Sequence, residues 1–179
     1  MNLGALVKFF SFFSGGSLTI GAKPKMLYWP RFRWRKGTIA IGDRVSMRYG
    51  VVIDAQSGRV EIGNNVSLND FAVLLGHGGI RIGNGVRIAA QTAIVSFEHG
   101  FDDPAAPIKD QPLRKAQIVI EDDVWIGAGA KILAGAHISR GCVIGANSVI
   151  KGKTVPGGIY VGAPARLVRL RGRSIPPRA

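Results

Sequence analysis

The chain has 179 residues, of which 46% are hydrophobic and 25 are glycine. This length predicts one domain with a sizeable core, and glycines spread along the chain predict many tight turns rather than a flexible linker. The single cysteine, Cys142, excludes an internal disulfide and is typical of a reducing compartment, so a cytoplasmic location is expected. Its small-residue setting favours a core position over a reactive one.

The net charge of +13 is unevenly distributed. Residues 1–36 and residues 151–179 each carry seven Lys or Arg and no acidic residue, whereas residues 37–150 carry ten basic and eleven acidic ones. Basic ends can meet nucleic acid, an anionic membrane surface or a phosphorylated small molecule. No nucleic-acid-binding motif accompanies these ends, so the last two partners are favoured and nucleic acid is not expected.

Residues 1–36 form an apolar and basic N-terminal segment. The apolar run over residues 3–13 is too short to span a bilayer, and it makes a poor signal peptide because no charge precedes it and Lys8 interrupts it. Two interpretations remain open. The segment either lies on a membrane surface, with its Lys and Arg residues on anionic headgroups, or forms a helix that caps the end of the domain.

A six-residue repeat runs through residues 37–165. Isoleucine occupies every sixth position from Ile120 to Ile150. Small or β-branched residues stand four positions after the large aliphatic ones: Val45, Val66, Val86, Val124, Ala130, Ala136, Cys142, Ser148 and Thr154. Two inward positions in six residues fit neither the period of a helix nor that of an ordinary strand. The pattern predicts an all-β fold, a left-handed parallel β-helix in which three hexapeptides make one coil and the coils stack.

Three departures from the period predict loops. The spacing from Ile41 to Ile62 is 21 residues, that from Ile62 to Ile82 is 20, and that from Ile94 to Ile120 is 26. The last departure contains residues 96–117, which carry no repeat and are expected to protrude from the coil. Functional groups concentrate on such excursions. The residues after 165, 166–179, are expected to form a basic C-terminal tail.

The long loop carries the strongest catalytic candidate, His99, because histidine can act as a general base near neutral pH. The neighbouring Glu98 and Asp102 are candidates to orient the imidazole or to contact a substrate. His77 lies in a glycine-rich insertion, where it is either a substrate contact or a plain turn residue. The three histidines are 22 and 38 residues apart and no cysteine cluster accompanies them, so no metal site is expected.

Several segments together resemble the hexapeptide-repeat acetyltransferases, in particular the galactoside and maltose O-acetyltransferases and those of polysaccharide biosynthesis. The resemblance covers roughly residues 39–170. It is carried by the Ile-Gly hexapeptides, the histidine-bearing loop and three later motifs: Val-Trp-Ile-Gly-Ala at 124–128, Val-Ile-Gly-Ala-Asn-Ser-Val at 143–149 and Tyr-Val-Gly-Ala-Pro-Ala-Arg at 160–166. It implies a homotrimer with sites between subunits and an acetyl-coenzyme A donor.

The resemblance also implies roles for individual residues. His99 matches the family's catalytic base, and Asn69 matches an asparagine placed near the acetyl and acceptor groups. Coenzyme A contacts are implied at six positions: Trp125 beside the tunnel, Ala128 and Ala146 on the pantetheine arm, and Lys151, Arg166 and Arg169 near the phosphates. The loop motifs Pro-Ile and Gln-Pro are similar to those of polysaccharide-biosynthesis members, which implies an acceptor contact by Gln111.

Residues 1–36 lack the acidic residue that galactoside-type and maltose-type enzymes carry in their N-terminal segment, which argues against a simple free-sugar acceptor. The sequence therefore predicts a cytoplasmic acetyl-coenzyme A-dependent O-acetyltransferase. Its expected acceptor is a saccharide of capsule, O-antigen or exopolysaccharide synthesis. The apolar and basic N-terminus fits an acceptor carried on a lipid at the inner membrane face, but the sequence leaves free, nucleotide-linked and lipid-linked acceptors open. Two alternatives stay open: N-acetylation of an amino-sugar nucleotide, and a non-catalytic β-helix scaffold.

Overall fold

The computed structural model describes residues 15–172, which contain 22 strands, β1 to β22 in chain order. Short strands alternate with turns so that the chain winds as a left-handed β-helix of about six coils. Three parallel sheets result, and they form faces A, B and C of a triangular prism. The predicted all-β fold is thereby confirmed.

The chain passes through faces A, B and C in that order within each coil. Face A contains β1 Ser17–Ile20, β4 Thr38–Ile41, β7 Arg59–Ile62, β10 Ile80–Ile82, β15 Ile118–Ile120 and β18 His137–Ile138. Face B contains β2 Lys25–Met26, β5 Ser46–Met47, β8 Ser67–Leu68, β11 Arg87–Ile88, β16 Trp125–Ile126, β19 Val143–Ile144, β21 Gly158–Gly162 and β22 Ala165–Leu170. Face C contains β3 Arg31–Arg33, β6 Val52–Asp54, β9 Val73–Leu75, β12 Ala93–Val95, β17 Lys131–Ile132 and β20 Val149–Ile150.

The isoleucine register sets the stacking of the last two complete coils. Ile120 pairs with Ile138 on face A, Ile126 with Ile144 on face B, and Ile132 with Ile150 on face C. These six side chains and the small residues four positions after them are buried, including Cys142, whose thiol lies against Thr154. Each buried isoleucine contributes about 1.5–3 kcal/mol, so the repeat supplies the core as predicted.

Edge AB, where face A turns into face B, is held by a ladder of side-chain amide and carboxylate oxygens. Asp43, Asn64, Asn84 and Asp122 stand in successive coils, and each accepts a hydrogen bond from the backbone N–H one coil earlier at 2.7–2.8 Å. The ladder satisfies corner amides that the strands leave unpaired. It also fixes the vertical spacing of the coils along this edge.

The three predicted interruptions all fall on edge CA, where face C returns to face A. They occupy residues 55–58, residues 76–79 and residues 96–117, each between a face C strand and the next face A strand. Extra residues at one edge leave the stacking of the other two edges intact. Edge CA is therefore where the prism gains irregular and exposed groups.

The β-helix is longer at both ends than the repeat predicts. Strands β1, β2 and β3 pair in parallel with β4, β5 and β6, so residues 17–33 form a first coil rather than an appendage or a helix. Strand β22 pairs antiparallel with β21, so the predicted tail begins as a strand. The remainder of the segment expected to form a cap or membrane-surface helix, residues 1–14, and residues 173–179 lie outside the described residues. Between residues 15 and 172 no helix has the length and apolar character needed to cross a membrane.

Candidate active site

The long loop leaves edge CA in the fourth coil as a short antiparallel hairpin. Strand β13, Phe97–His99, pairs with β14, Leu113–Lys115, and His99 lies opposite Leu113. One 3-10 turn, Ile108–Asp110, lies between the two strands. A regular hairpin holds His99 in a defined position, which an irregular loop would not.

Ser96, which is fully buried, holds the base of the hairpin through hydrogen bonds. Its hydroxyl donates to the Leu75 carbonyl at 3.0 Å and accepts from the Gly78 N–H at 2.9 Å, and its carbonyl accepts from the Ala116 N–H at 3.0 Å. Gly78 must lack a side chain, because a Cβ would collide with the Ser96 carbonyl oxygen and with the Ala116 nitrogen. These contacts fix the hairpin to the preceding coil.

His77 and His99 meet through Phe97. The His77 ring stacks on Phe97 with centroids 4.1 Å apart and planes 1° apart, and Phe97 contacts His99 edge to face at 6.4 Å. Burial lowers the pKa of His77, the charge of Lys115 acts in the same direction, and the Asp54 carboxylate opposes them. His77 therefore supports the hairpin through its ring stack, while the His99 side chain is exposed and free to meet a substrate.

Neither acidic neighbour orients His99. Glu98 forms an ion pair with Lys151 at 2.9 Å, and Asp102 pairs with Arg114, whose guanidinium also lies over Phe101. Among residues 15–172 the His99 imidazole has no hydrogen-bond partner. Both carboxylates brace the hairpin rather than orient the imidazole, and their expected contact with a substrate stays a prediction.

The Gln111 side chain also stabilises the loop through hydrogen bonds. Its side-chain amide donates to the carbonyl oxygens of Asp103 and Ala106 at 2.9 and 3.0 Å, and its oxygen accepts from the Asp103 N–H. Both amide hydrogens are thereby committed inside the loop. An acceptor contact by Gln111 would have to use its remaining oxygen lone pair.

Edge BC offers open backbone N–H groups at corners equivalent to those that the ladder satisfies on edge AB. Ala128 and Ala146 stand at equivalent corners of successive coils, and both are exposed. At edge AB the corresponding amides bond to the Asp and Asn ladder, but alanine supplies no such oxygen. Within the described part of the chain, the N–H groups of Ala128 and Ala146 bond to nothing. An amide-containing ligand could therefore run along this edge.

Trp125 and Arg169 lie in one column of face B. The pairing runs from Trp125 to Val143, then to Ile159 and then to Arg169. Three strand spacings separate the ends, which is about 14 Å. Trp125 is 56% exposed, so packing does not account for it. Arg166 is on the same last strand but lies opposite Val161, nearer edge BC, so face B carries one exposed aromatic side chain and two cations.

The predicted residues divide between two edges of one protomer. His99, His77, Glu98, Lys151 and the rest of the loop lie at edge CA. Asn69, Trp125 and the two alanines lie at or beside edge BC, with the whole of face C between them. Lys151 is therefore not beside Arg166 and Arg169 in the same subunit. Asn69 donates one amide hydrogen to the Ile88 carbonyl at 2.8 Å and retains the other.

The sequence did not single out Ser96, Phe97 or Arg114, which position the hairpin. The sequence does contain one indication for Ser96: this polar residue stands two positions after Ile94, where the hexapeptide repeat stops. The contacts of Phe97 and Arg114 depend on the hairpin pairing, which the sequence does not encode as a motif. Residues 15–172 contain no group of three His, Cys, Asp or Glu side chains suited to a metal ion.

Comparisons with known proteins agree with this architecture. Residues 117–152 match the family described as bacterial transferase hexapeptide (six repeats). The probable acetyltransferase Rv3034c of Mycobacterium tuberculosis is 42% identical over 92 residues, which cover 51% of this chain and 31% of that protein. The Escherichia coli protein named as a lipopolysaccharide biosynthesis O-acetyl transferase, WbbJ, is 28% identical over 109 residues, 57% of this chain and 56% of that protein. This chain thus spans about a third and about half of these two relatives.

The fold is also found among solved structures. A variant of AntD, an N-acyltransferase from Bacillus cereus in complex with dTDP-4-amino-4,6-dideoxyglucose and coenzyme A, matches with a TM-score of 0.76 at 23% identity. The match covers 93% of this chain and 89% of that one. Residues 117–152 thus resemble bacterial transferase hexapeptide repeats, and the chain as a whole shares the β-helix fold of these solved structures.

Proposed function

We propose that the protein is an acetyl-coenzyme A-dependent O-acetyltransferase that modifies a saccharide hydroxyl. The observation that carries the proposal is the exposed His99 imidazole, held on a hairpin that is braced at its base and beneath its strands. A histidine that only projected into solvent would not require the hydrogen bonds of Ser96 at the base of the hairpin or the stacking of Phe97 on His77. The match of residues 117–152 to transferase repeats supports acyl transfer as the chemistry.

In the proposed reaction the His99 imidazole takes the proton of the acceptor hydroxyl as its oxygen attacks the thioester carbonyl carbon. The carbonyl oxygen becomes negative, and the free amide hydrogen of Asn69 is suited to stabilise it. Collapse of this intermediate breaks the carbon–sulfur bond. The proton held by His99 passes to the departing sulfur, so the products are an O-acetylated saccharide and coenzyme A.

Edge BC and face B fit the donor. The open N–H groups of Ala128 and Ala146 suit the two amides of a pantetheine arm, and exposed Trp125 suits its apolar portion. Arg166 and Arg169 supply cations for the phosphates. The proposed donor path therefore runs from the level of Asn69 toward the C-terminal end of the prism.

We infer that a homotrimer completes the site. His99 and Asn69 lie at different edges of one protomer, so they meet only where edge CA of one subunit faces edge BC of the next. Lys151 would then also reach the donor phosphates from the neighbouring subunit.

Mixing inactive variants tests this arrangement. Co-assembly of equal amounts of His99→Ala and Asn69→Ala chains is expected to restore activity, because about a quarter of the cyclic interfaces would combine one intact His99 with one intact Asn69. Activity is measured after the two purified variants are dissociated together and reassembled. Recovery of no more than the sum of the two parent activities would show that each subunit holds a complete site.

We place the reaction at the cytoplasmic face of a membrane, on a lipid-linked acceptor for capsule, O-antigen or exopolysaccharide. Residues 15–36 carry six Lys or Arg and no acidic residue, which suits contact with anionic headgroups or with a pyrophosphate. In the same coil Leu27 and Trp29 are exposed. The apolar and basic N-terminal segment is the proposed region of contact.

The transfer assay decides between the candidate functions. The protein is incubated with labelled acetyl-coenzyme A and lipid-linked saccharides extracted from cells, and label is expected in the saccharide fraction. An O-acetyl ester is removed by mild alkali, whereas the N-acetyl amide of the alternative reaction survives it. Label that resists alkali would replace O-transfer by N-transfer, and absence of label from every fraction would favour the scaffold.

A further inference from the structure

A row of exposed aromatic side chains lies along edge BC, from the coil that contains Asn69 toward the N-terminal end of the prism. Tyr28, Tyr49 and Phe71 stand in three successive coils, and neighbouring rings contact edge to face at 5.1 and 5.3 Å. Their exposed fractions are 56%, 51% and 51%. These three residues are referred to as the aromatic ridge. It spans two strand spacings, about 10 Å.

Phe71 adopts a backbone conformation that does not suit it. Its φ is +59°, in the left-handed region that bulky residues rarely occupy. The equivalent corners of the later coils hold Gln91, Gly129 and Asn147, of which Gly and Asn accept this region readily. Gly50 makes room for the ring, since a Cβ there would lie 2.5 Å from Phe71. An exposed phenyl ring in a strained corner costs stability, which is typical of a residue kept for binding.

The proposed position of the donor along edge BC limits which ligand the aromatic ridge can bind. The proposed donor surface runs from Asn69 toward the C-terminal coils through Ala128, Ala146 and Arg166. An acceptor that reaches the same point must come from the opposite direction, along coils one to three. The aromatic ridge lies on that path, and Phe71 is two residues from Asn69.

We propose that the aromatic ridge is an acceptor-binding subsite for an extended saccharide, so that the substrate is an oligosaccharide or polymer rather than a monosaccharide. This inference rests on the proposed function for the position of the reacting hydroxyl. Aromatic rings stack on the apolar faces of sugar rings, and tyrosine adds a hydroxyl for hydrogen bonding. Polar groups flank the ridge, since Arg48 and Asp70 form an ion pair at 3.1 Å beside it.

Saccharide binding without turnover tests the ridge separately from catalysis. The probes are oligosaccharides of one to six sugars, prepared by mild acid hydrolysis of polysaccharide from cells that make the protein. The full chain is expected to bind the longest fractions at least tenfold more tightly than monosaccharide, as measured by saturation-transfer NMR and calorimetry. A double variant, Tyr49→Ser with Phe71→Asn, is expected to weaken binding of the long fractions about tenfold and to leave coenzyme A binding unchanged.

The substitutions are chosen to preserve the fold, so that a loss of saccharide binding can be assigned to the missing aromatic rings. Asparagine accepts the left-handed corner at position 71, as Asn147 does in the sixth coil, so thermal stability should not fall. Val155→Ser, which changes an exposed apolar residue far from the ridge, is the matched control and should bind normally.

Three results would overturn the ridge inference whatever the transfer assay shows. The first is equal binding of long and short fractions, or of wild type and double variant, including no binding by either. The second is dissociation of the oligomer in the double variant, measured by light scattering, which would make the ridge a subunit contact. The third is loss of anionic-vesicle binding with saccharide binding intact, which would make it a membrane surface.

Discussion

Replacing His99 by alanine is expected to lower kcat for acetyl transfer by ~10²-fold or more, since a positioned general base contributes typically 10²–10⁴-fold. The thermal midpoint should change little, because the side chain is exposed and surface substitutions generally cost less than about 0.5 kcal/mol. Steady-state release of coenzyme A, followed with a thiol reagent, gives kcat, and circular dichroism gives the midpoint.

The matched control is His137→Gln. This histidine lies on face A, where its Nε2 is 2.6 Å from a Glu121 oxygen, away from both edges of the proposed site. Its replacement should leave kcat within about threefold of wild type, well below the effect of losing a general base. Activity of His99→Ala within that same range would refute the general-base role. A large loss in both variants would indicate a general effect on the fold.

Replacing Gly63 by alanine is expected to destabilise the protein by about 2–3 kcal/mol and to lower its thermal midpoint by roughly 5–10 °C. Gly63 precedes the ladder residue Asn64 on edge AB. A Cβ at this position would lie 2.8 Å from the Asn84 side-chain oxygen and from the carbonyl carbon and oxygen of Gly83. Backbone atoms of the next coil cannot retreat without stretching the ladder, so the cost is large for a single methyl group.

Gly85→Asn is the matched control on the same edge. Gly85 has a φ of +68° and open space around its Cβ position, and asparagine accepts this conformation. Its thermal midpoint should stay within about 3 °C of wild type, equivalent to about 1 kcal/mol. If Gly63→Ala were as stable as this control, the close coil spacing and the ladder would not exist in solution.

Glu121 replaces the glycine found at the equivalent corner position in each earlier coil of edge AB. It occupies the position that Gly21, Gly42, Gly63 and Gly83 fill in the earlier coils. The next coil carries Arg140 in place of a ladder Asp or Asn, so the ladder oxygen that crowds this position at Gly21, Gly42, Gly63 and Gly83 is missing there. The Glu121 carboxylate instead accepts the Arg140 N–H at 2.8 Å and bonds His137, and this side-chain bond is the main reason that the pKa of Glu121 is lowered.

The hexapeptide register alone predicted the fold, the buried residues and the protruding loop. This was possible because burial inside a β-helix is local: each large aliphatic residue faces inward wherever its hexapeptide stands. The first coil escaped prediction because its residues depart from the repeat: among residues 15–172 it stacks on one other coil only, so its inward positions are under a weaker demand for burial. Its inward residues, Ile20, Met26 and Phe32, are partly buried, and basic side chains interleave with them.

Only the tertiary structure decided how the candidate site is arranged. The position of an insertion on edge CA, the pairing of Glu98 with Lys151 across 53 residues and the open amides of edge BC all depend on which hexapeptides stack. Residue identity carried the chemistry of His99, Asn69 and Trp125. The division of these residues between two edges follows from the winding of the prism, because residues close in sequence are separated by a whole face and residues one coil apart are brought into contact.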